Sequence, residues 1–499
     1  MSAPSALEHF GASSQCAEEM ISWLAGPEAA ELAHAELENQ LDARGRELLR
    51  TMLQDHLSLR SLNEVRMQSV VDSDGVAHGA VETGHRRPLA TIFGTVDVER
   101  LAYCHRGHPN LHPADALLNL PEERHSHGLR RLAAVEASRG SFEEAGAALE
   151  RATGQHVGKR QVENLTARGA SDVEGFYEAR SHTPVDESDA LVISADGKGI
   201  VMRPDSLREQ TAKAAAAAAN KLTTRLSKGE KRNRKRMAEV GAVYDVTPVP
   251  RSPHDVMAPK AGEEHPPEAP KAKNKWLTAS VVEDASEVVG RLFDEAERRD
   301  PGHTRRWVAL VDGNNHQIDR IGVEATTRGL DVTIVVDLVH VLEYLWTAAW
   351  CFFAEGDTTA EQWVRGRALS VLEGHAREVA SGIRRRATAE GLTTAKRKKA
   401  DEAARYLTNK SPYLDYPTAL AAGWPIATGV IEGAVRHVVR DRMDVTGARW
   451  STDGAEAVLK LRAVRSNGDF DDYWRFHLDH ERQRVHESRY DQGVIPLAA

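Results

Sequence analysis

Four acidic residues of this chain could do chemistry together: three end segments that are predicted to be buried strands, and the fourth lies in a predicted helix. Asp196, Asp312 and Asp337 end the apolar runs ALVISAD, WVALVD and VTIVVD, which have the length and β-branched content of buried strands. Because parallel strands bring their carboxyl ends to one edge of a sheet, we expect these side chains to lie close together. Glu432 lies in the segment GWPIATGVIEGAVRHVVRDRM, which has helical spacing.

Carboxylates brought together from distant positions predict a divalent-metal site. Asp196, Asp312 and Glu432 offer only oxygen donors, the hard ligands that Mg²⁺ or Mn²⁺ prefers. Such a site is typical of phosphoryl transfer, and two ions (Mg²⁺ or Mn²⁺) would serve it. Simpler interpretations stay open: the Asp-Gly pairs at 196 and 312 are also typical of turns, and Glu432 could form an ion pair with Arg436.

Asp337 and His340 are three residues apart at a predicted strand-to-helix junction. Without binding the metal themselves, they could orient a metal ligand or a scissile phosphate through hydrogen bonds. Alternatively, Asp337 is an ordinary helix N-cap followed by a histidine in the first turn.

Cysteine spacing and hydropathy exclude several classes of protein. The three cysteines, Cys16, Cys104 and Cys351, are far apart and form no CxxC pair, so we expect neither a disulfide framework nor a thiolate zinc site. Any metal site is therefore expected to use oxygen ligands. The chain has no apolar run of about 18 residues and no signal-peptide pattern, so we expect a cytoplasmic protein with no membrane partner.

The net charge of −9 argues at first sight against a polyanionic partner, but the basic residues are clustered. Phosphate contacts are local, so the distribution of charge matters more than its sum. One cluster spans residues 221–237 and a second spans 384–399. A solvated helix face or a flexible segment is the alternative interpretation of either run. The predicted DNA-contacting residues of the first cluster are Lys231, Arg232, Arg234, Lys235 and Arg236.

The segment from Ser141 to Ala170 predicts a helix-turn-helix. Ser141 and Glu144 form a capping-box pattern at the start of one helix, and Gly154 begins a short turn into a second helix. The second helix would carry Lys159, Arg160, Gln161 and Asn164 into a major groove. Helical hairpins are also common in proteins that never contact DNA, and that alternative stays open.

The chain is expected to be an α/β protein of several segments. The predicted segments are an N-terminal helical region (1–85), a β-hairpin plus helix-turn-helix region (86–185), the first part of an α/β catalytic core (186–340), an all-helical insertion (341–422), and the second part of the core with Glu432 and a C-terminal tail (423–499).

Long motifs of this chain resemble a known family. They are DGKGIVMR, TRLSKGEKRNRKRMAEVGAVYD, WVALVDGN, DLVHVLEYLW, GWPIATGVIEGAVRH, DRMDVTGARW and SNGDFDDYW. Together they resemble the ISKra-type transposases of bacterial insertion sequences, a branch of the DDE transposases with an RNase H-like core. The resemblance runs from about Arg87 to Tyr490. It implies an RNase H-like mixed-sheet core interrupted by an all-helical insertion and preceded by a mainly helical DNA-binding region.

The resemblance also implies the functional residues. The catalytic triad falls on Asp196, Asp312 and Glu432, and Asp337 with His340 is similar to a signature of Mutator-like DDE enzymes. The implied reaction is metal-dependent cleavage at the ends of an insertion sequence, followed by transfer of the freed 3′-hydroxyl into target DNA.

The implied partner is double-stranded DNA, both the terminal inverted repeats and the target, and the protein would then be nucleoid-associated. A homodimer or larger assembly is expected on DNA because two ends must be paired. Arg436, Arg440 and Arg449 are expected on phosphates, with Trp450 as a stacking wedge or, alternatively, a core residue. Other interpretations are a non-catalytic, domesticated DNA-binding protein, and an RNase H-like nuclease without strand transfer.

Overall fold

The computed structural model describes residues 6–181, 186–217, 234–257, 267–445 and 447–496. The chain divides into two compact units. The first unit comprises Met1–Ala179 and Asp469–Ala499, and the second comprises Arg180–Gly468. The sequence predicts one C-terminal segment, 423–499, whereas the structure divides this segment between the units at Asp469.

Within these ranges the secondary structure is mixed α/β. The strands are β1 (Val70–Val71), β2 (Ala77–His78), β3 (Ala80–Thr91), β4 (Gly94–Cys104), β5 (Ala190–Val201), β6 (Lys235–Val246), β7 (Ala272–Ser280), β8 (Trp307–Val311) and β9 (Val332–Val336). The helices of the first part of the chain are α1 (Gly11–Leu24), α2 (Pro27–Ala30), α3 (His34–Leu62), α4 (Pro113–Leu117), α5 (His127–Arg139), α6 (Phe142–Thr153), α7 (Lys159–Arg168), α8 (Val173–Ala179), α9 (Glu209–Ala217) and α10 (Pro253–Val256).

Further helices follow in the second part of the chain. They are α11 (Ala285–Arg299), α12 (Asn315–Arg328), α13 (Leu338–Phe352), α14 (Thr358–Leu372), α15 (Ala376–Ala389), α16 (Thr394–Lys410), α17 (Tyr416–Ala421), α18 (Gly429–Ala434), α19 (Asp441–Met443), α20 (Thr452–Ser466) and α21 (Phe470–Val485). A π-helical stretch, Val435–Arg440, joins α18 to α19. No helix of the described ranges is long and apolar enough to cross a bilayer.

The first unit contains the β-hairpin that the alternating segment around Gly94 predicts. Strands β3 and β4 pair antiparallel, with Thr91 opposite Gly94 at the turn. Helix α3 packs on β4, and Leu57 of the helix joins Leu89, Val96 and Val98 in one buried cluster. Alternation along β4 accounts for this packing, because every second side chain of the strand faces the helix.

Helices α5, α6 and α7 of the first unit contact one another. The capping box at the start of α6 is confirmed, since Ser141 Oγ accepts from Glu144 N and Glu144 accepts from Ser141 N. Gly154 ends α6 with φ of 68°, a left-handed conformation that glycine adopts at little cost. The two helices and the turn between them are therefore present and packed on a third helix, and the helix-turn-helix interpretation stays a prediction.

A buried charge network joins α5 and α21 in the first unit. Arg130 is fully buried and donates to Glu123, Glu481 and His477. A buried guanidinium is tolerated only when its donors are paired, and here carboxylates on both sides supply the counter-charge. Arg484 adds a second cation, with Nη2 2.6 Å from Glu481 Oε1.

The second unit is built on one five-stranded mixed sheet with the strand order β7-β6-β5-β8-β9. Neighbours β7, β6 and β5 are antiparallel, whereas β5, β8 and β9 are parallel. All five residues of β8 are buried, as a central parallel strand requires. Helix α11 packs against β5 and β6, and α12 against β8 and β9. The α/β fold class is confirmed.

The sequence predicts that strand β5 ends at Asp196. In the structure the strand continues to Val201. The reason is its partner β6, which pairs with it residue by residue from Ala190 opposite Val246 to Val201 opposite Lys235. A Cβ at Gly197 would lie 2.8 Å from Met237 Cε, the end of a flexible side chain, so a larger residue there would require the Met237 side chain to move. Tertiary pairing has overridden the local Asp-Gly turn pattern.

Candidate active site

The parallel registers of the sheet align three aspartates at one edge. Ile193 of β5 lies opposite Ala309 of β8, and Val311 of β8 lies opposite Val336 of β9. Extending these registers places Asp196, Asp312 and Asp337 in one row across neighbouring strands, which are about 4.8 Å apart in a sheet. The sequence prediction that these acids meet at one sheet edge agrees with this alignment.

Asp337 is fully buried behind this edge and is the N-cap of α13. Its carboxylate accepts from Val339 N at 3.0 Å, Thr428 N at 3.2 Å, Thr428 Oγ1 at 2.8 Å and His340 Nδ1 at 3.1 Å. Burial alone would raise the pKa of Asp337, but these hydrogen bonds, from His340 first, hold it below its ordinary value. The N-cap interpretation is confirmed, and the same carboxylate also orients His340.

His340 is partly exposed in the first turn of α13. The hydrogen bond to Asp337, supported by the nearby Asp312 and Glu343 carboxylates, raises the pKa of His340 to about 9. Without a bound metal ion the imidazole is therefore positively charged at neutral pH. It places one cation among the acids of the sheet edge.

Glu432 reaches the same region from α18. Thr428, the N-cap residue of this helix, is buried, and its hydroxyl lies 3.1 Å from Glu432 Oε1 as well as beside Asp337. Asp337, His340 and Glu432 each offer a ligand atom within 4.8 Å of the other two. Within the described part of the chain, the predicted triad of Asp196, Asp312 and Glu432 does not form a group of three that is this tight, whereas Asp337, which is predicted only to orient a ligand, lies close to Glu432.

Asp196 is half-buried in β5 and lies under the influence of both other predicted ligands. Burial raises the pKa of Asp196, and the negative charges of Asp312 and Glu432 raise it further, whereas the Gly197 N–H lowers it. Negative charges that raise the pKa of Asp196 act against its ionised form. A divalent cation would offset these charges, so the donor set fits a metal such as Mg²⁺ or Mn²⁺.

Asp312 follows β8 in a tight turn. Its Oδ1 accepts from Asn314 N at 2.7 Å, and Gly313 has φ of 91°. Here the turn interpretation of Asp-Gly is correct, and it coexists with a position at the sheet edge. A side chain at Gly313 would also collide with the Tyr406 hydroxyl, which lies 2.6 Å from the ideal Cβ position.

Helix α16 contributes two residues to this region that the sequence did not indicate. Tyr406 donates to the Asp312 carbonyl at 3.2 Å and stacks on Tyr344, with ring centroids 3.8 Å apart. Lys410 is buried and donates to Asn315 Oδ1. Burial lowers the pKa of Lys410, while the Asp312 carboxylate opposes this change. The spacing of residues in the 338–421 region does not predict which helix face contacts the residues after β8.

The π-helical stretch begins just after Glu432. Arg436 and Arg440 are exposed there, and Arg436 Nε lies 3.9 Å from Asp441 Oδ1. Arg462 of α20 donates to the carbonyls of His437 and Val438, which supports this irregular backbone. Stretches of this kind occur frequently at functional sites.

The prediction that Trp450 stacks on DNA is wrong for this structure. Trp450 is 3% exposed, and its indole N–H donates to the Met443 carbonyl at 3.1 Å. Its backbone continues the sheet, with N bonded to Val201 O and O accepting from Arg203 N. These bonds explain the burial and agree with the core alternative. Arg449, next to it, is exposed.

The basic segment before β6 is only partly described. Lys231 and Arg232 lie outside the described residues, whereas Arg234, Lys235 and Arg236 are at least partly exposed. Lys235 Nζ lies 3.5 Å from Asp444 Oδ1, and Arg236 donates to the Val282 carbonyl at 3.3 Å. Both have protein partners, and their contact with DNA stays a prediction.

The predicted recognition helix is α7 of the first unit. Its apolar face buries Val162 and Leu165. The four predicted DNA-contacting residues, Lys159, Arg160, Gln161 and Asn164, are all exposed on it. Gln161 also accepts from Gly158 N at 3.2 Å, so it helps to begin the helix. The helix has the exposed polar face that groove binding needs, and its role stays a prediction.

Comparison with known proteins does not identify the family of this chain. No protein-family model matches the chain, and no curated protein is significantly similar to it in sequence.

Proposed function

We propose that the second unit is the RNase H-like core of a DDE transposase, which cleaves DNA at insertion-sequence ends and transfers the 3′-hydroxyl into target DNA. The observation that carries the proposal is the row of Asp196, Asp312 and Asp337 at the carboxyl edge of the parallel strands, with Glu432 joined to it through Thr428. Ligand sites of open α/β sheets lie at this edge.

The sheet supports the same proposal. A five-stranded mixed sheet with three antiparallel and two parallel strands is the arrangement that an RNase H-like core needs. Helices α13 to α17 lie between β9 and α18 in the chain, which is the place of the proposed all-helical insertion. Tyr406 and Lys410 show how this region would support the site, since both approach the residues after β8.

Asp196, Asp312 and Glu432 would hold the two Mg²⁺ or Mn²⁺ ions. Bound there, the cations would lower the pKa of an attacking water or 3′-hydroxyl and neutralise the leaving oxygen. Asp337 positions the site: it holds His340 directly, and it shares with Glu432 the Thr428 hydroxyl, which lies within hydrogen-bond distance of both carboxylates. Because a hydroxyl on DNA or water serves as nucleophile, no covalent bond from a serine or tyrosine is required.

DNA binding would use the exposed cations. The polar face of α7 would contact the terminal inverted repeats, and Arg436, Arg440 and Arg449 would contact phosphates near the carboxylates. A homodimer or larger assembly would pair the two ends.

The test is a nicking assay on duplexes copied from both ends of the DNA segment that carries this gene. Asp196→Asn, Asp312→Asn and Glu432→Gln each remove one charge from the proposed site, so we expect each to abolish Mg²⁺-dependent nicking and to leave DNA binding nearly unchanged. Asp331→Asn is the matched control, because Asp331 is 85% exposed and pairs with Arg306 at the opposite ends of β8 and β9. A charge-neutral variant that nicks like the wild type would refute the role of its residue.

Strand transfer separates the proposal from its alternatives. If the wild type joins a 3′-hydroxyl end to a target plasmid, it is a transposase. Nicking without joining would make it a nuclease with the same carboxylates. DNA binding with no nicking in Mg²⁺ or Mn²⁺ would make it a non-catalytic DNA-binding protein and refute the proposal.

A further inference from the structure

Two imidazoles converge on one carboxylate oxygen in the first unit. His78 Nε2 and His108 Nδ1 each lie 3.0 Å from Asp72 Oδ2. Asp72 and His78 are buried, and His108 is partly exposed. The three ligand atoms lie within 4.8 Å of one another.

The local backbone points Asp72 toward the imidazoles. Asp72 follows β1, and its Oδ1 accepts from Asp74 N at 3.0 Å and Val76 N at 2.8 Å in the turn before β2. This turn uses one oxygen and leaves Oδ2 for His78 and His108. His108 comes from the loop after β4, so the cluster joins two separate parts of the chain.

The hydrogen bond on the other side of His78 decides which nitrogen carries the lone pair. His78 Nδ1 lies 3.2 Å from the Tyr103 carbonyl oxygen, which can only accept, so Nδ1 carries the proton. In the neutral ring Nε2 then has the lone pair, and Nε2 faces Asp72. An imidazole held by a backbone carbonyl with its other nitrogen facing a carboxylate has the usual arrangement of a metal ligand.

A third histidine lies beside the cluster. The His105 ring centroid is 5.8 Å from that of His78 and 5.4 Å from that of His108. Its Nδ1 lies 3.1 Å from the Ala77 carbonyl, so the same reasoning assigns its lone pair to Nε2. His105 is therefore a further nitrogen donor beside the cluster.

We propose that Asp72, His78 and His108 bind one Zn²⁺ ion, with His105 or a water completing a tetrahedral site. Zinc favours imidazole with carboxylate, and its ligand atoms in a tetrahedral site are about 3.3 Å apart when the bonds are about 2.0 Å long. The two observed separations of 3.0 Å are close to this value. The sequence predicts that any metal site uses oxygen ligands, whereas this proposed site uses two histidines. The close spacing of His105 and His108 in the sequence is a signal that could have suggested it.

The ion would have a structural role. Strands β1 and β2 have two residues each, too few for a hairpin that is stable by itself. The zinc would join this hairpin to the loop after β4, above the buried cluster that contains Val70 and Tyr103.

The first test counts zinc in the full-length protein. Protein from zinc-supplemented cultures is dialysed against metal-free buffer, and zinc per chain is measured by mass spectrometry. We expect His108→Ala to retain one equivalent less than the wild type. His85→Ala is the matched control, since the His85 side chain is 31% exposed against 29% for His108. Equal zinc in the wild type and His108→Ala, or an equal loss in His85→Ala, would overturn the proposal.

The second test distinguishes the loss of a metal ligand from misfolding of the variant. Cobalt(II) is added to the zinc-free wild type, and the visible bands of a tetrahedral ion are recorded. We expect these bands to be lost in His108→Ala and restored in His108→Cys, which replaces one zinc ligand by another. Unchanged bands in His108→Ala, or no bands in His108→Cys while circular dichroism matches the wild type, would overturn it. Neither test uses DNA, so the outcome is independent of the proposed transposase activity.

Discussion

Thr428 lies within hydrogen-bond distance of two acids of the site, Asp337 at the start of α13 and Glu432 in α18. Its hydroxyl has one proton and lies within hydrogen-bond distance of Asp337 and Glu432, so it serves one carboxylate at a time. The side chain therefore sets the separation of these two acids without being a metal ligand. Thr428 lies four residues before Glu432, and no sequence motif identifies it as a residue of the site.

We predict that Thr428→Val slows nicking about 10-fold or more and raises the Mg²⁺ concentration that nicking needs, because outer residues hold metal ligands in place. The lost hydrogen bond to buried Asp337 should also lower the free energy of unfolding by about 1–3 kcal/mol. Thr428→Ser keeps the hydroxyl and should restore both quantities. Wild-type Mg²⁺ dependence in the valine variant would show that Thr428 does not position Glu432.

The three aspartates of the site could be predicted because each follows a run of buried strand residues, a strong local pattern, whereas Glu432 lies in a segment with helical spacing. Asp337 is predicted only to orient a ligand, and its closeness to Glu432 depends on how Thr428, at the start of α18, meets the start of α13. Tyr406 and Lys410 could not be predicted, since nothing local to α16 records its contact with the residues after β8. The sequence leaves both a stacking and a core role open for Trp450, because its backbone pairs with Val201, more than 200 residues earlier.

At the scale of elements, α7 combines a buried apolar face with an exposed basic end. Phosphate contacts release counterions, so each contact contributes about 0.9 to the slope of log affinity against log salt. We predict that Lys159→Ala with Arg160→Ala weakens binding to the end duplexes and reduces this slope by about 1–2. Fluorescence anisotropy over a range of salt concentrations measures both quantities.

Arg139→Ala is the control for this prediction, because Arg139 is exposed at the end of α5 and already paired with Glu136. It should leave the slope unchanged. An unchanged slope in the α7 double variant would remove this helix from the DNA-binding surface and leave the helix pair with a packing role alone.

Elements with local capping patterns were predicted well, and elements that depend on pairing were not. The start of α6 and the turn at Gly154 follow from residues within a few positions of each other. In contrast, β5 continues through Asp196 and Gly197 because β6 supplies a full-length partner. The local Asp-Gly pattern, which favours a turn, could not reveal this partner.

At the scale of the whole molecule, the buried network around Arg130 makes the first unit sensitive to acid. Burial opposes ionisation of Glu481, but Arg484 and Arg130 lower the pKa of Glu481 to about 2 from an ordinary value of 4.5. Its folded-state pKa is depressed, so its stabilisation is fully present above about pH 4.5 and is lost as the pH falls toward 2.

We predict that Glu481→Gln lowers the free energy of unfolding of the first unit by about 2 kcal/mol at neutral pH and makes its acid unfolding less steep. Thermal unfolding followed between about pH 7 and pH 3 measures both effects. Glu487→Gln is the control, because Glu487 pairs with Arg482 on the surface. Parallel pH profiles for the wild type and Glu481→Gln would contradict the assigned role of this carboxylate.

The division into units was the least predictable feature, because α20 and α21 are separated by only a few residues and no composition change marks the boundary. The contacts of α21 decide it: Tyr473 donates to the Gly169 carbonyl at 2.8 Å, and Glu481 pairs with Arg130.

These contacts of α21 also have a consequence for biosynthesis. The ribosome makes all of Arg180–Gly468 before it makes α21, so the second unit has its full set of residues first. Arg130 and the Gly169 carbonyl of the N-terminal segment lack their α21 partners until α21 has emerged. Domains usually fold in the order of their synthesis, so we expect the second unit to fold before the first.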